Sequence, residues 1–170
     1  MNNTLRNKLK NDTTKAVIFD IDGTLTEAKW GAVDAVAMPW DKCTPSHYEH
    51  RNDNTWNITP IPVMQEFVKS INKPKYVLSG THDSIEDRLK NKMLNTSYPS
   101  IKEENRYFTR TVEDKIEILK CIAKDKCKSD KDCIIYVDDC LPDIFTIKKA
   151  FVDVGCADAI LCYHVSSFYV

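Results

Sequence analysis

The segment Ala16-Val17-Ile18-Phe19-Asp20-Ile21-Asp22-Gly23-Thr24 runs four apolar residues directly into two acids and a glycine. A short β-rich apolar run bounded by polar residues reads as a buried strand. Tyr76-Val77-Leu78, Cys133 to Val137 and Ala159-Ile160-Leu161-Cys162 repeat the pattern downstream. Helical periodicity fills the intervals. Pro60 and Pro62 open one helix with Ile61, Met64, Val68 and Ile71 on a face. Asp83 or Ser84 caps a second, with Ile85, Leu89 and Met93 as its apolar stripe. A third carries Val112, Ile116, Leu119 and Ala123, and Pro142 sits as the first residue of a fourth. Strands alternating with helices predict an α/β fold: an open, mostly parallel sheet with helices on both faces.

Composition sets the class. A chain of 170 residues has room for one domain with a real core. Hydrophobic residues at 42% and charged residues at 29% argue against wholesale disorder. With 24 basic and 25 acidic residues the net charge is −1, so no broad field draws the chain to nucleic acid or an anionic membrane. No apolar run reaches the length of a membrane span, and residues 1–14 form a polar arm without a signal-peptide core. A cytoplasmic location is expected. Cys121, Cys127, Cys133 and Cys140 are spaced by six, six and seven residues, which matches no zinc pattern. All seven cysteines are therefore expected as reduced thiols.

In a parallel α/β sheet, ligands bind beyond the carboxyl ends of the strands. The polar residues fall there: Asp20 and Asp22 after the first strand, Ser79 and Gly80 after the second, Asp138 and Asp139 after the third. Crowded carboxylates repel unless a cation or a proton lies between them. Oxygen-only ligands select a hard cation, and Mg²⁺ is the usual one where phosphate is handled.

The run VIFDIDGTLT, Val17 to Thr26, closely resembles the first motif of the haloacid dehalogenase-like (HAD) hydrolase superfamily. Ser79 in VLSG looks like the second motif, Lys115 in VEDKIEIL the third, and Asp139 with Asp143 in YVDDCLPDI the fourth. The resemblance implies a Rossmann-like catalytic domain spanning 1–170. It also implies phosphoryl transfer in two steps, with Asp20 as nucleophile forming an aspartyl-phosphate and Asp22 as general acid, then base. Mg²⁺ would be held by Asp20, the Asp22 backbone carbonyl, Asp139 and Asp143. Ser79 and Lys115 would hold phosphate oxygens, and Gly23, Thr24, Gly80 and His82 would line the substrate position. Asp138 stands where many family members have glycine. Asp139 is the favoured ligand of the pair because it keeps the four-residue step to Asp143.

Each of these residues also has a plainer reading. Ser79 is a common turn residue, Lys115 a common solvated helix charge, and Asp143 a first-turn acid favoured by the helix dipole. Residues 27–59 are too few for a large helical cap, so a flap is expected in place of a cap domain. Trp40 and Trp56 in that flap either pin it to the body or stack on a substrate base. The expected activity is Mg²⁺-dependent hydrolysis of phosphomonoesters, on nucleotides or nucleic-acid ends. Alternatives are a sugar-phosphate or phosphoprotein phosphatase, or a non-catalytic phosphate-binding or receiver-like module.

Overall fold

A computed structural model describes residues 3–27, 59–81 and 83–168. The central strand, β1 (Thr14–Phe19), has Ala16 to Phe19 fully buried. Successive side chains in a strand point to opposite faces. Val17 and Phe19 accordingly enter one apolar cluster, and Ala16 and Ile18 another. β4 (Cys133–Asp138) divides in the same way, Ile135 and Val137 to the first cluster, Ile134 and Tyr136 to the second. Two separate cores, one on each face, explain why these strands are continuously apolar rather than alternating.

Five parallel strands lie in the order β3-β2-β1-β4-β5, with β2 at Lys75–Gly80, β3 at Arg106–Thr109 and β5 at Ile160–His164. The first core is covered by α2 (Pro62–Ser70) through Met64, Phe67 and Val68, and by α3 (Ser84–Ser97) through Met93 and Leu94. The second is covered by α4 (Val112–Lys126) through Ile116, Leu119, Ile122 and Ala123, and by α5 (Leu141–Asp153) through Ile147 and Phe151. The open parallel α/β architecture expected from sequence is the one found. Each such buried side chain contributes roughly 1.5–3 kcal/mol relative to exposure.

The order reverses at β1. Connections through α2 and α3 lead from β1 to β2 and β3 on one side, whereas α4 carries the chain back to β4 on the other. At such a switch the connecting helices leave on opposite faces and open a crevice above the strand ends. Phe19 is in register with both Val77 and Val137, so Asp20 and Asp138 each stand one residue further along, at that crevice, while β2 runs on through Leu78 to Ser79 and Gly80.

Four features differ from expectation. Part of the N-terminal arm is helical, α1 (Asn3–Lys10), and its Leu9 packs on the first core. A fifth strand, β3, occupies what reads in sequence as a polar connection. Pro142 is the second residue of α5, not the first. Cys121, Cys127, Cys133, Cys156 and Cys162 are free thiols, but Cys140 is disulfide-bonded, which corrects the expectation of seven reduced cysteines. Pairing depends on separation in space, and spacing along the chain does not reveal it. Among the described residues, no helix is long and apolar enough to cross a membrane.

Candidate active site

Asp20 leaves β1 still tied to β4, its N–H donating to the Val137 carbonyl at 2.9 Å. The chain then turns tightly. The Ile21 carbonyl accepts from the backbone N–H groups of Thr24, Leu25 and Thr26, and from the Thr26 hydroxyl. This turn requires Gly23 at φ +73°, a left-handed conformation that favours glycine. A second constraint acts at the same position: a Cβ on Gly23 would lie 2.1 Å from Asp139 Oδ2. Glycine therefore lets the turn of the first motif press against the carboxylate of the fourth.

Lys115, near the start of α4, reaches into the crevice and is almost wholly buried. Its Nζ lies 3.4 Å from Asp20 Oδ1, 3.3 Å from Asp138 Oδ2 and 3.0 Å from Asp143 Oδ2. Asp138 has further partners: Cys140 N–H donates to Oδ1 at 2.8 Å, and the Tyr136 hydroxyl donates to Oδ2. Both its oxygens are committed to the protein. Asp139 differs. Its backbone carbonyl accepts from His164 Nε2 at 2.9 Å, which anchors the residue to β5 and leaves the carboxylate beside Gly23 and Asp20.

A second buried lysine stands across the site. Lys90 on α3 has no exposed surface, and its Nζ meets Asp22 Oδ2, Ser79 Oγ at 3.0 Å, the Gly80 carbonyl at 2.7 Å and Glu86 Oε1 at 3.0 Å. The side chains of the first and second motifs are thereby joined by one ammonium group.

The charge balance is uneven. Asp20, Asp22, Glu86, Asp138, Asp139 and Asp143 stand against Lys90 and Lys115. Burial, with Asp138 and Asp22 adding to it, pushes the Asp20 carboxyl up to about 7 against the pull of Lys115. Burial and the charges of Asp20, Asp138 and Asp22 push Asp139 up to about 9. Burial disfavours the charged form of Lys115, but Asp138, Tyr136, Asp20 and Asp143 outweigh it and hold the ammonium well above its usual range. Burial and mutual repulsion thus favour the protonated forms of Asp20 and Asp139. Carboxylate oxygens of Asp20, Asp138 and Asp139 lie within 4.8 Å of one another, an oxygen-only set suited to a hard divalent cation. The residues fit Mg²⁺.

Gly23→Ala tests this packing. Strain at positive φ costs roughly 1–2 kcal/mol, and the new methyl must displace the Asp139 carboxylate. We expect a lowered Tm and about tenfold weaker Mg²⁺ binding by calorimetric titration. Unchanged metal affinity would mean that Asp139 is not a ligand.

The structure brings Asp20, Asp22, Ser79, Lys115, Asp139 and Asp143 together at the ends of β1, β2 and β4. Thr24 is fully buried under the turn, and a Cβ on Gly80 would meet open space, so Gly80 enters the site through its carbonyl. Trp40, Trp56, His82 and nearly all of the 27–59 flap lie outside the described residues. Sequence reasoning missed Lys90 and Glu86. The buried stripe of α3 is Glu86, Lys90, Met93 and Leu94, whereas Ile85 of the expected stripe is exposed.

No family model matches the chain, and no curated protein matches it. Among solved structures, the HAD domain of the effector protein Lem4 from Legionella pneumophila is similar, with a TM-score of 0.51 and 16% identity over 89% of this chain and 85% of that one. At that identity the likeness concerns the fold: the sheet and helices described above are arranged as in a HAD domain.

Proposed function

We infer that this protein is a Mg²⁺-dependent phosphomonoester hydrolase. The carrying observation is the buried set Asp20, Asp138 and Asp139 with Lys115 among them, at the point where the strand order reverses. Asp20 is the nucleophile: a carboxylate oxygen forms a bond to phosphorus as the bond to the leaving oxygen breaks. Asp22 gives the leaving oxygen its proton, then takes a proton from the water that hydrolyses the aspartyl-phosphate. Lys115 offsets negative charge where the phosphoryl group approaches Asp20. Asp20, the Asp22 backbone carbonyl and Asp139 would hold Mg²⁺, with Asp143 beside them. When bound, the cation neutralises phosphate and carboxylate charge that would otherwise repel. Asp139 is preferred over Asp138 because the latter's oxygens already accept from Tyr136, Cys140 and Lys115.

The substrate carries its phosphate on a nucleotide or a nucleic-acid end. Support comes from the size of the connections. Between Ser79 and Lys115 the described chain is used up by α3, β3 and the first turn of α4, which leaves no separate lid on that side. A site without a large lid on that side admits a phosphate on a bulky carrier.

The test is phosphate release from p-nitrophenyl phosphate with Mg²⁺ and with EDTA, followed by kcat/KM for mononucleotides, 5′- and 3′-phosphorylated oligonucleotides, sugar phosphates and phosphopeptides. Mg²⁺-dependent turnover is expected, with the nucleotide group preferred. No turnover, or full turnover in EDTA, removes the mechanism; preference for sugar phosphates or phosphopeptides removes the substrate assignment.

A further inference from the structure

Lys90 is costly to bury, and the residues around it offset that cost in an uncommon way. An isolated buried ammonium loses its hydration, so such a group persists only where it is paired and hydrogen-bonded. Lys90 has three N–H donors and four oxygens in reach: Asp22 Oδ2, Ser79 Oγ, the Gly80 carbonyl and Glu86 Oε1. Its donors are saturated by the protein. Lys115 also meets three oxygens, but its bonds to Asp20 and Asp138 are long, at 3.4 and 3.3 Å, and only that to Asp143 is of ordinary length, at 3.0 Å. A saturated lysine is poorly placed to grip a phosphate. It is well placed to fix the groups that do the chemistry.

The two carboxylates on Lys90 have different surroundings. Glu86 is one helical turn earlier on α3 and almost completely buried, so it anchors the lysine to its own helix. Asp22 sits on the turn after β1 with its side chain about a quarter exposed. Rigid α3 thereby supports the Asp22 carboxylate, and the same ammonium holds the Ser79 hydroxyl at the end of β2.

We propose that Lys90, braced by Glu86, is a positioning residue that aims the Asp22 carboxylate at the leaving oxygen. The inference rests on the phosphatase reading above, with Asp22 as the proton donor. It carries a signature that structural support alone does not. Proton donation matters for a poor leaving group and hardly at all for a good one. A misaimed Asp22 should therefore slow phosphoryl transfer from alkyl phosphates selectively, which kcat/KM reads, whereas hydrolysis of the aspartyl-phosphate is common to all esters.

The experiment compares the Mg²⁺-loaded wild type, Lys90→Met, Lys90→Arg and Glu86→Gln on a ribose phosphate and on 2,4-dinitrophenyl phosphate. Lys90→Met is expected to lower kcat/KM roughly 10- to 100-fold on the alkyl ester and under about threefold on the dinitrophenyl ester. Lys90→Arg should recover much of the loss, and Glu86→Gln should show the same selectivity at smaller size. In an Asp22→Asn background, Lys90→Met should add no further loss on the alkyl ester, because the two residues act as one unit. If Lys90→Met does not fold, Lys90→Met/Glu86→Gln removes opposite buried charges together and takes its place.

Equal loss of kcat/KM on both esters, or additive losses with Asp22→Asn, overturns the proposal. A rise in KM alone, equal on both esters, would make Lys90 a phosphate ligand and also overturns it. A wild type inactive on both esters with Mg²⁺ is a separate result: it defeats the phosphatase reading itself, and the proposal with it.

Discussion

Asp20→Asn is expected to abolish turnover, by roughly 10⁴-fold or more, while the folded protein becomes no less stable. Both halves follow from one fact. Burial raises the proton affinity of the Asp20 carboxyl, Asp138 and Asp22 add to it, and Lys115 and then Lys90 oppose them. A group held against such forces destabilises the fold whenever it is ionised. The amide has the same shape without the charge, so its introduction relieves repulsion. It is also no nucleophile and a poor ligand for a hard cation. Lys115 loses one partner in the variant and keeps Asp138 and Asp143. Activity traded against stability at one position is the mark of a site built for chemistry. Thermal melts at pH 8 should give a Tm equal to or above that of the wild type. Mass spectrometry of trapped wild-type enzyme should place a phosphoryl adduct on Asp20. An adduct on Ser79 or on a cysteine would replace the mechanism, and an active Asn variant would remove Asp20 from it.

The parts of this site legible in the sequence are those whose local pattern and final environment agree. β1 and β4 are buried on both faces, so their apolar runs stand out, and the acids that follow them can only be strand ends. β3 was hidden because it is a short edge strand, bonded among the described residues to β2 alone, with Arg106, Tyr107 and Phe108 only partly buried. Arg106 is held by the Ile101 carbonyl and by Asn95, contacts made after folding that leave no trace in periodicity. α3 misled more deeply. Its apolar residues predict a stripe through Ile85, Leu89 and Met93, whereas the helix turns Glu86 and Lys90 inward and leaves Ile85 exposed. A Glu–Lys pair four residues apart is normally a solvated helix face. Nothing in the pair itself tells a buried ion pair from an exposed one. That distinction comes from Asp22 and Ser79, which the fold brings from other strands.

Metal-free protein should lose stability as pH rises, and Mg²⁺ should restore most at the alkaline end. An unfolded aspartate titrates near about 3.9. In the folded chain Asp20 is raised to about 7 and Asp139 to about 9, in both cases chiefly by burial and then by neighbouring carboxylates. Above about pH 4 the folded protein therefore holds protons that the unfolded chain has released. Stability then falls with rising pH, up to about 7 through Asp20 and up to about 9 through Asp139. Each group accounts for an effect on the order of a few kcal/mol. This sign is opposite to the usual one for salt-bridged carboxylates, whose stability is lost on acidification. A divalent cation reverses it by taking the protons' place, so its affinity should rise by up to about tenfold per pH unit for each proton displaced. Melts at pH 5, 7 and 9, with and without Mg²⁺, should show a metal-free Tm that declines across the series and a metal-induced shift that grows. Asp139→Asn should flatten the decline between pH 7 and 9, because the group that titrates there is gone, and should shrink the Mg²⁺ shift at pH 9. A decline that persists unchanged in Asp139→Asn would assign the proton to another group. A Mg²⁺ shift of one size at all three pH values would mean that binding displaces no proton from Asp20 or Asp139, and so that the cation binds away from this cluster.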